Sequence, residues 1–281
     1  MVSEHADARL DQAAAAIARA EALLITAGAG LGVDSGLPDF RGDEGFWRAY
    51  PPFRSLGLSF VDLANPEWFD RDPTLAWGFY GHRLQLYRTT TPHAGFAILG
   101  RWAAAMPRGG FVFTSNVDGQ FQKAGFDDKR VAECHGSIHH LQCSIPCCDR
   151  IWDAAEVALE IDPATFRARP PLPLCPACGC IARPNVLMFG DASWVPHRSH
   201  GQHERLTRWL DGIRGAPLVI VELGAGTAVP TVRMTSERVA VALGAVLVRV
   251  NLREPRAPAG HLGVAAGCLE ALSAIDRRLG P

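Results

Sequence analysis

Ala22-Leu-Leu-Ile-Thr-Ala-Gly28-Ala-Gly30 decides the fold: a short apolar run that ends in a glycine turn. The run is continuous rather than alternating, which is how a strand reads when both of its faces are covered. Residues 110–113, 217–223 and 245–250 repeat the pattern. Between such runs lie stretches long enough for crossover helices, residues 94–105 and 231–243 among them. Ahead of the first run, residues 6–20 are rich in alanine with Leu10, Ala14 and Ile17 at helical spacing, which predicts an opening helix. Alternating strands and helices of this kind predict an α/β fold, a Rossmann-like doubly wound parallel sheet.

Two stretches break the alternation. Residues 44–95 carry Trp47, Trp68, Trp77 and many prolines, with a helical patch over 75–87. Residues 138–185 carry six of the eight cysteines and the proline-rich Arg169-Pro-Pro-Leu-Pro-Leu174. Both read as insertions that fold together into a smaller helical and zinc-binding domain. The dinucleotide-binding domain is then residues 1–43, 96–137 and 186–281.

The spacings Cys143-x₃-Cys147 and Cys175-x₂-Cys178 suit a closed tetrahedral Cys₄ zinc site, which is structural because it keeps no open position. Cys148 could stand in for Cys147, and Cys180 for Cys178. A redox dithiol and independent buried thiols are the competing readings. His197, His200 and His203 lie in a polar stretch, and positions three apart drift around a helix, so they read as a solvated face.

The 281 residues are 48% hydrophobic and 20% charged, ordinary for a folded chain, with a net charge of −1 and no block of like charge. No broad basic face is available for nucleic acid, so no specific nucleic-acid binding is expected. The apolar runs are too short to span a bilayer. The opening MVSEHADARLDQ has neither a basic nor an apolar leader region, which predicts a cytoplasmic protein with no membrane partner.

After the glycine turn the chain continues Gly28-Ala-Gly-Leu-Gly-Val-Asp-Ser-Gly-Leu-Pro-Asp-Phe-Arg-Gly42. Further along come Thr114-Ser-Asn-Val-Asp118, Cys134-His-Gly-Ser137, Arg183-Pro-Asn-Val-Leu-Met-Phe-Gly-Asp191, Gly224-Ala-Gly-Thr227 and Val250-Asn251. In content and order these segments resemble the motifs of the sirtuin family, from about Glu21 to Leu269. The resemblance implies an NAD-dependent deacylase that removes acyl groups from lysine on a protein or peptide, releasing nicotinamide and an O-acyl-ADP-ribose. It makes His135 the general base, a task suited to an imidazole that titrates near neutrality. It assigns the cofactor to Gly28, Ala29, Gly30, Asp39, Phe40, Arg41, Ser115, Asn116, Asp118, Gly224, Gly226, Thr227, Asn251 and Cys268. Asn116 and Asp118 would hold the nicotinamide carboxamide, with the alternative that Asn-x-Asp merely builds a turn.

The same resemblance places acyl-lysine along Val186, Leu187, Phe189 and Gly190 by strand addition. In the branch that removes succinyl and malonyl groups, a Tyr-x-x-Arg pair binds the acyl carboxylate. Tyr80 and Arg83 share that spacing and one helical face. The bland alternative is a surface arginine beside a core aromatic. Gly32, Ser115, Phe121, Asp191 and Ala225-Gly226 depart from the family's Ser, Gln, His, Glu and Thr-Ser, and all are expected at or near the cofactor face. Two other classes remain open at this point: a mono-ADP-ribosyltransferase or NAD hydrolase on the same fold, and a non-catalytic NAD-sensing or zinc-ribbon module.

Overall fold

The computed structural model describes residues 4–39, 46–47, 50–51, 54 and 57–280. Phe40 and Arg41 lie outside the described residues. Among the described residues nine strands run β1 (Ala22–Ala27), β2 (Gly110–Thr114), β3 (Val131–Glu133), β4 (Gly136–Cys143), β5 (Trp152–Asp153), β6 (Ala182–Val186), β7 (Leu218–Leu223), β8 (Val246–Val250) and β9 (Leu262–Val264). Six of them form a parallel sheet in the order β3-β2-β1-β7-β8-β9.

The expected doubly wound sheet is therefore present, and the all-apolar character of its strands follows from its two covers. All six residues of β1 are buried. Leu23, Ile25 and Ala27 face one core with Leu10, Phe96, Leu99, Leu272 and Ile275, contributed by the helices Glu4–Ala18, Ala94–Ala105 and Cys268–Leu279. Ala22 and Leu24 face another with Leu206, Trp209, Val232 and Val239 from the helices His197–Gly212 and Thr231–Leu243. Each fully buried leucine or isoleucine contributes about 1.5–3 kcal/mol. A buried charged pair interrupts this interior. Glu222 and Arg249 are register partners on β7 and β8 and form a buried ion pair that also engages Glu237.

The helices at 94–105 and 231–243 fall as expected, and the helix expected at 75–87 runs from Pro73 to Thr89. Its start explains itself: Asp72 caps it by accepting from the Leu75 amide at 3.2 Å, and Pro73 occupies a first-turn position where its missing N–H costs nothing. Strands β3 and β9 were not visible as apolar runs, because three residues carry no periodicity to read.

A third core cluster joins this helix, through Trp77, Phe79, Tyr80 and Leu84, to Phe46 and Tyr50 and to Ile138, Leu141, Ala182 and Val186. The last four belong to a three-stranded antiparallel sheet, β5-β4-β6. The Trp77 indole donates to the Ala182 carbonyl at 2.9 Å, fixing helix to sheet. Among the described residues no helix is long and apolar enough to cross a membrane.

Candidate active site

The chain leaves β1 for β2 and β3 on one side and returns to β7, β8 and β9 on the other. At that reversal the loops diverge and leave a crevice at the carboxyl ends of the strands. A cleft of about 810 Å³ occupies it. Its floor is glycine laid on glycine. A Cβ on Gly28 would stand 2.8 Å from Ala225 Cα, and one on Gly30 would stand 2.8 Å from Gly224 Cα. Gly28 and Ala29 line the cleft, as do Gly224, Gly226 and Thr227, while Gly30 lies beneath, packed on Gly224.

Ser115, Asn116 and Asp118 enter the cleft from the loop after β2, and His135 from the joint between β3 and β4. Gly136 sets that joint. Its φ is +79°, and a Cβ there would fall 2.1 Å from the Asn185 carbonyl, so β6 approaches as closely as it does only because the residue is glycine. The Leu187 amide then donates to the His135 carbonyl at 2.9 Å. Burial pulls the His135 imidazole below its ordinary 6.5, so the ring is neutral and able to accept a proton at physiological pH. The same burial pushes the Asp118 carboxyl up to about 6, against the Gln120 amide that donates to it at 3.0 Å. Asn116 donates its side-chain N–H to the Gly28 carbonyl at 3.1 Å, tying the β2 loop to the glycine turn. Cys134, next to His135, is an inert thiol, raised to about 12 by burial.

Tyr80 and Arg83 line the same cleft from the helix Pro73–Thr89, both buried rather than on the surface. The Arg83 guanidinium lies among aromatic rings, 5.1 Å from the Phe79 centroid and 5.6 Å from Tyr80, and its Nε donates to the Tyr87 hydroxyl at 3.0 Å. Val186, Leu187 and Phe189 form part of the wall, and Asp39 another part; Gly190 turns away at φ +68° and does not line it. The amides of Leu187, Met188 and Phe189 are engaged internally, by His135 O, the Asp191 carboxylate and Ala64 O. Backbone pairing here would therefore draw on carbonyls.

Three of the departures from the family pattern are not on the cofactor face. Gly32 does not line the cleft: a Cβ there would stand 3.2 Å from Leu37 Cδ1, and Leu37 itself reaches the cleft. Phe121 is core, with ring centroids 5.1 Å from Phe96 and 5.2 Å from Phe126. Asp191 is fully buried in a bidentate pair with Arg183 at 2.8 and 2.9 Å, where it fixes the turn after Leu187. Ser115, Ala225 and Gly226 do line the cleft. Asn251 and Cys268 act from behind it: Asn251 donates to the Ala225 carbonyl at 2.8 Å, and the Cys268 thiol lies 3.8 Å from Gly30 O.

The sulfurs of Cys143, Cys147, Cys175 and Cys178 all lie within 4.8 Å of one another. Cys143–Cys178 is 3.6 Å and Cys147–Cys175 is 3.7 Å. Zinc–sulfur bonds of about 2.3 Å in a tetrahedron require sulfurs about 3.8 Å apart, so these four residues fit the ion. Cys148 and Cys180 stand beside the cluster and not in it. Among the described residues no other group of this kind converges, and the three histidines of the helix His197–Gly212 do not.

Tyr87, Arg253 and Glu254 also line the cleft. Tyr87 was legible, since it falls four positions after Arg83 on the same helical face. Arg253 and Glu254 follow the β8 strand end, which is where ligands gather in open α/β sheets.

A sequence profile of the Sir2 family matches residues 28–207. An NAD-dependent protein deacylase of Thermus thermophilus is 31% identical over 272 residues, covering 95% of this chain and 94% of that one. A second, of Aquifex aeolicus, is 32% identical over 227 residues, covering 81% and 82%. Among solved structures, a Sir2 homologue in complex with ADP-ribose superimposes with a TM-score of 0.72 at 26% identity, covering 95% of each chain.

Proposed function

The chain belongs to the Sir2 family, and from that membership we propose that it removes acyl groups from protein lysine with consumption of NAD. The observation that supports this most is the convergence of His135, Asn116 and Asp118 on the end of the cleft nearest β2 and β3, beside the glycine turn of β1. NAD, when bound, supplies a ribose carbon that the acyl oxygen can attack and nicotinamide as the group that leaves. Asp118 accepts from an amide N–H₂ and Asn116 orients the glycine turn beneath it. With NAD bound, the neutral His135 ring would take a proton from a ribose hydroxyl so that this oxygen can add to the acyl carbon, and would return the proton to the departing lysine amine, water completing the O-acyl-ADP-ribose. The Cys₄ cluster would hold zinc, bracing the sheet β5-β4-β6 without taking part in the reaction. Thiols kept available for zinc suit a cytoplasmic location, which cell fractionation would test.

The test is nicotinamide release from NAD with and without an acetylated or succinylated lysine peptide. Release should require the peptide, and His135→Ala should abolish acyl removal while ADP-ribose still binds. Release that ignores the peptide would make the protein an NAD hydrolase, and a peptide that gains the mass of ADP-ribose would make it a transferase.

We propose in addition that the buried Tyr80 and Arg83 receive an acidic acyl group. Their place in the cleft wall favours this over the surface-packing alternative. The division into a dinucleotide-binding part (1–43, 96–137, 186–281) and a smaller part (44–95, 138–185) is likewise our proposal, supported by the separate core around Trp77 and Leu141.

A further inference from the structure

The helix Pro73–Thr89 turns Tyr80, Arg83 and Tyr87 onto one face, at steps of three and four residues. All three are buried, and all three line the cleft. Tyr87 is 5% exposed, and its hydroxyl accepts from Arg83 Nε at 3.0 Å. Burial raises that hydroxyl above its ordinary 10, outweighing the opposing Arg83 charge, so its proton stays in place at physiological pH. Among the described residues the proton has no acceptor: the contact with Arg83 is the hydroxyl's only hydrogen bond, and in it the oxygen accepts. A buried donor left unpaired is costly, so one that faces a cleft marks a place for an acceptor on the ligand.

The ring is held from behind. The Gln120 side-chain amide donates to the Tyr87 carbonyl at 3.1 Å, while the Gln120 backbone amide donates to the Asp118 carboxylate at 3.0 Å. Asp118 faces the amide of nicotinamide, and the group that comes up against Arg83 is the acyl chain. This placement rests on the acidic-acyl reading of Tyr80 and Arg83 given above.

We propose that the Tyr87 hydroxyl donates to the distal carboxylate of the acyl group and so sets acyl specificity together with Tyr80 and Arg83. A hydroxyl that accepts from a cation is a stronger donor, because the bond it receives draws electron density from its oxygen. Arg83 then acts on the carboxylate through Tyr87 as well as by its own charge. A neutral chain of the same length offers the Tyr87 proton no acceptor, and the donor stays unpaired.

The experiment is kcat/KM with NAD for succinyl-lysine and butyryl-lysine peptides, which match in chain length and differ in charge. It is run on the parent, Tyr87→Phe, Arg83→Met and the double variant, with a thermal melt of each protein. The parent should prefer succinyl. Tyr87→Phe keeps the ring and removes one oxygen, and it should lower the succinyl-to-butyryl ratio about tenfold. In the Arg83→Met background it should still lower the ratio about threefold or more, because a residue that only orients the guanidinium would have nothing left to orient. Tyr87→Met, which offers Arg83 a weak acceptor but no donor, serves in its place should Tyr87→Phe not fold. A ratio unchanged within twofold by the Tyr87 variant, but lost in Arg83→Met, overturns the proposal and leaves the acidic-acyl reading intact. An effect of Tyr87 that vanishes in the Arg83→Met background overturns it too, leaving Tyr87 as a prop for the arginine. A parent with no preference for succinyl overturns both the proposal and the acidic-acyl reading.

Discussion

Burial shifts His135 and Asp118 in opposite directions, lowering the imidazole's pKa and raising the carboxyl's, because in each it disfavours the charged form. For Asp118 this has a consequence for stability. The carboxyl ionises near 3.8 when unfolded and near 6 when folded, so ionising it opposes folding above pH 6, and the penalty fades as pH falls from 6 towards 4. Asp118→Asn keeps an acceptor for the Gln120 amide and should stabilise the protein at pH 8 by on the order of 1–3 kcal/mol, with the gain vanishing near pH 4, while deacylation is lost. Chemical denaturation at the two pH values decides this, and destabilisation at pH 8 would show that the carboxylate is well paired. At Arg83 the question is selectivity. A desolvated bidentate contact to a carboxylate is worth about 1.5–3 kcal/mol, so a succinyl peptide should exceed an acetyl peptide in kcat/KM by roughly ten- to hundredfold. Arg83→Met should erase that difference with deacetylation largely kept. Equal rates on the parent would reduce Tyr80 and Arg83 to packing.

At the scale of elements, legibility followed length. The apolar run at Ala22–Ala27 and the helices Ala94–Ala105 and Thr231–Leu243 are long enough to show a pattern, and the cysteine spacings define a tetrahedron without any help from packing. Strands of three residues, β3 and β9, show nothing, although His135 depends on the first. Phe121 and Gly32 were misplaced for a related reason: position in a motif gives proximity along the chain, not the direction of a side chain. The zinc cluster joins the loop after β4 to the segment before β6, and metal binding there supplies folding free energy directly. One zinc per chain is expected by metal analysis. Cys175→Ser should release it and open the 138–185 region to limited proteolysis before the parallel sheet unfolds. A folded, active preparation without zinc would contradict this.

For the whole molecule, the order β3-β2-β1-β7-β8-β9 explains why residues as distant in sequence as Gly28, His135 and Thr227 share one cleft: each sits just past the carboxyl end of a parallel strand or at the joint that follows one. The glycine turn announced that edge in the sequence. The cross-links that shape its far end, Asn251 to Ala225 and Glu254 to Thr227, did not show, because they join loops through side-chain bonds that leave no periodic trace. The central claim is that this edge passes an acyl group from lysine to ADP-ribose. It is tested most directly by mass analysis of the small products from NAD and a peptide whose acyl group is isotopically labelled. The account predicts free nicotinamide, unmodified lysine and the label carried on ADP-ribose; label recovered from the start as the free acid, with ADP-ribose unlabelled, would contradict it.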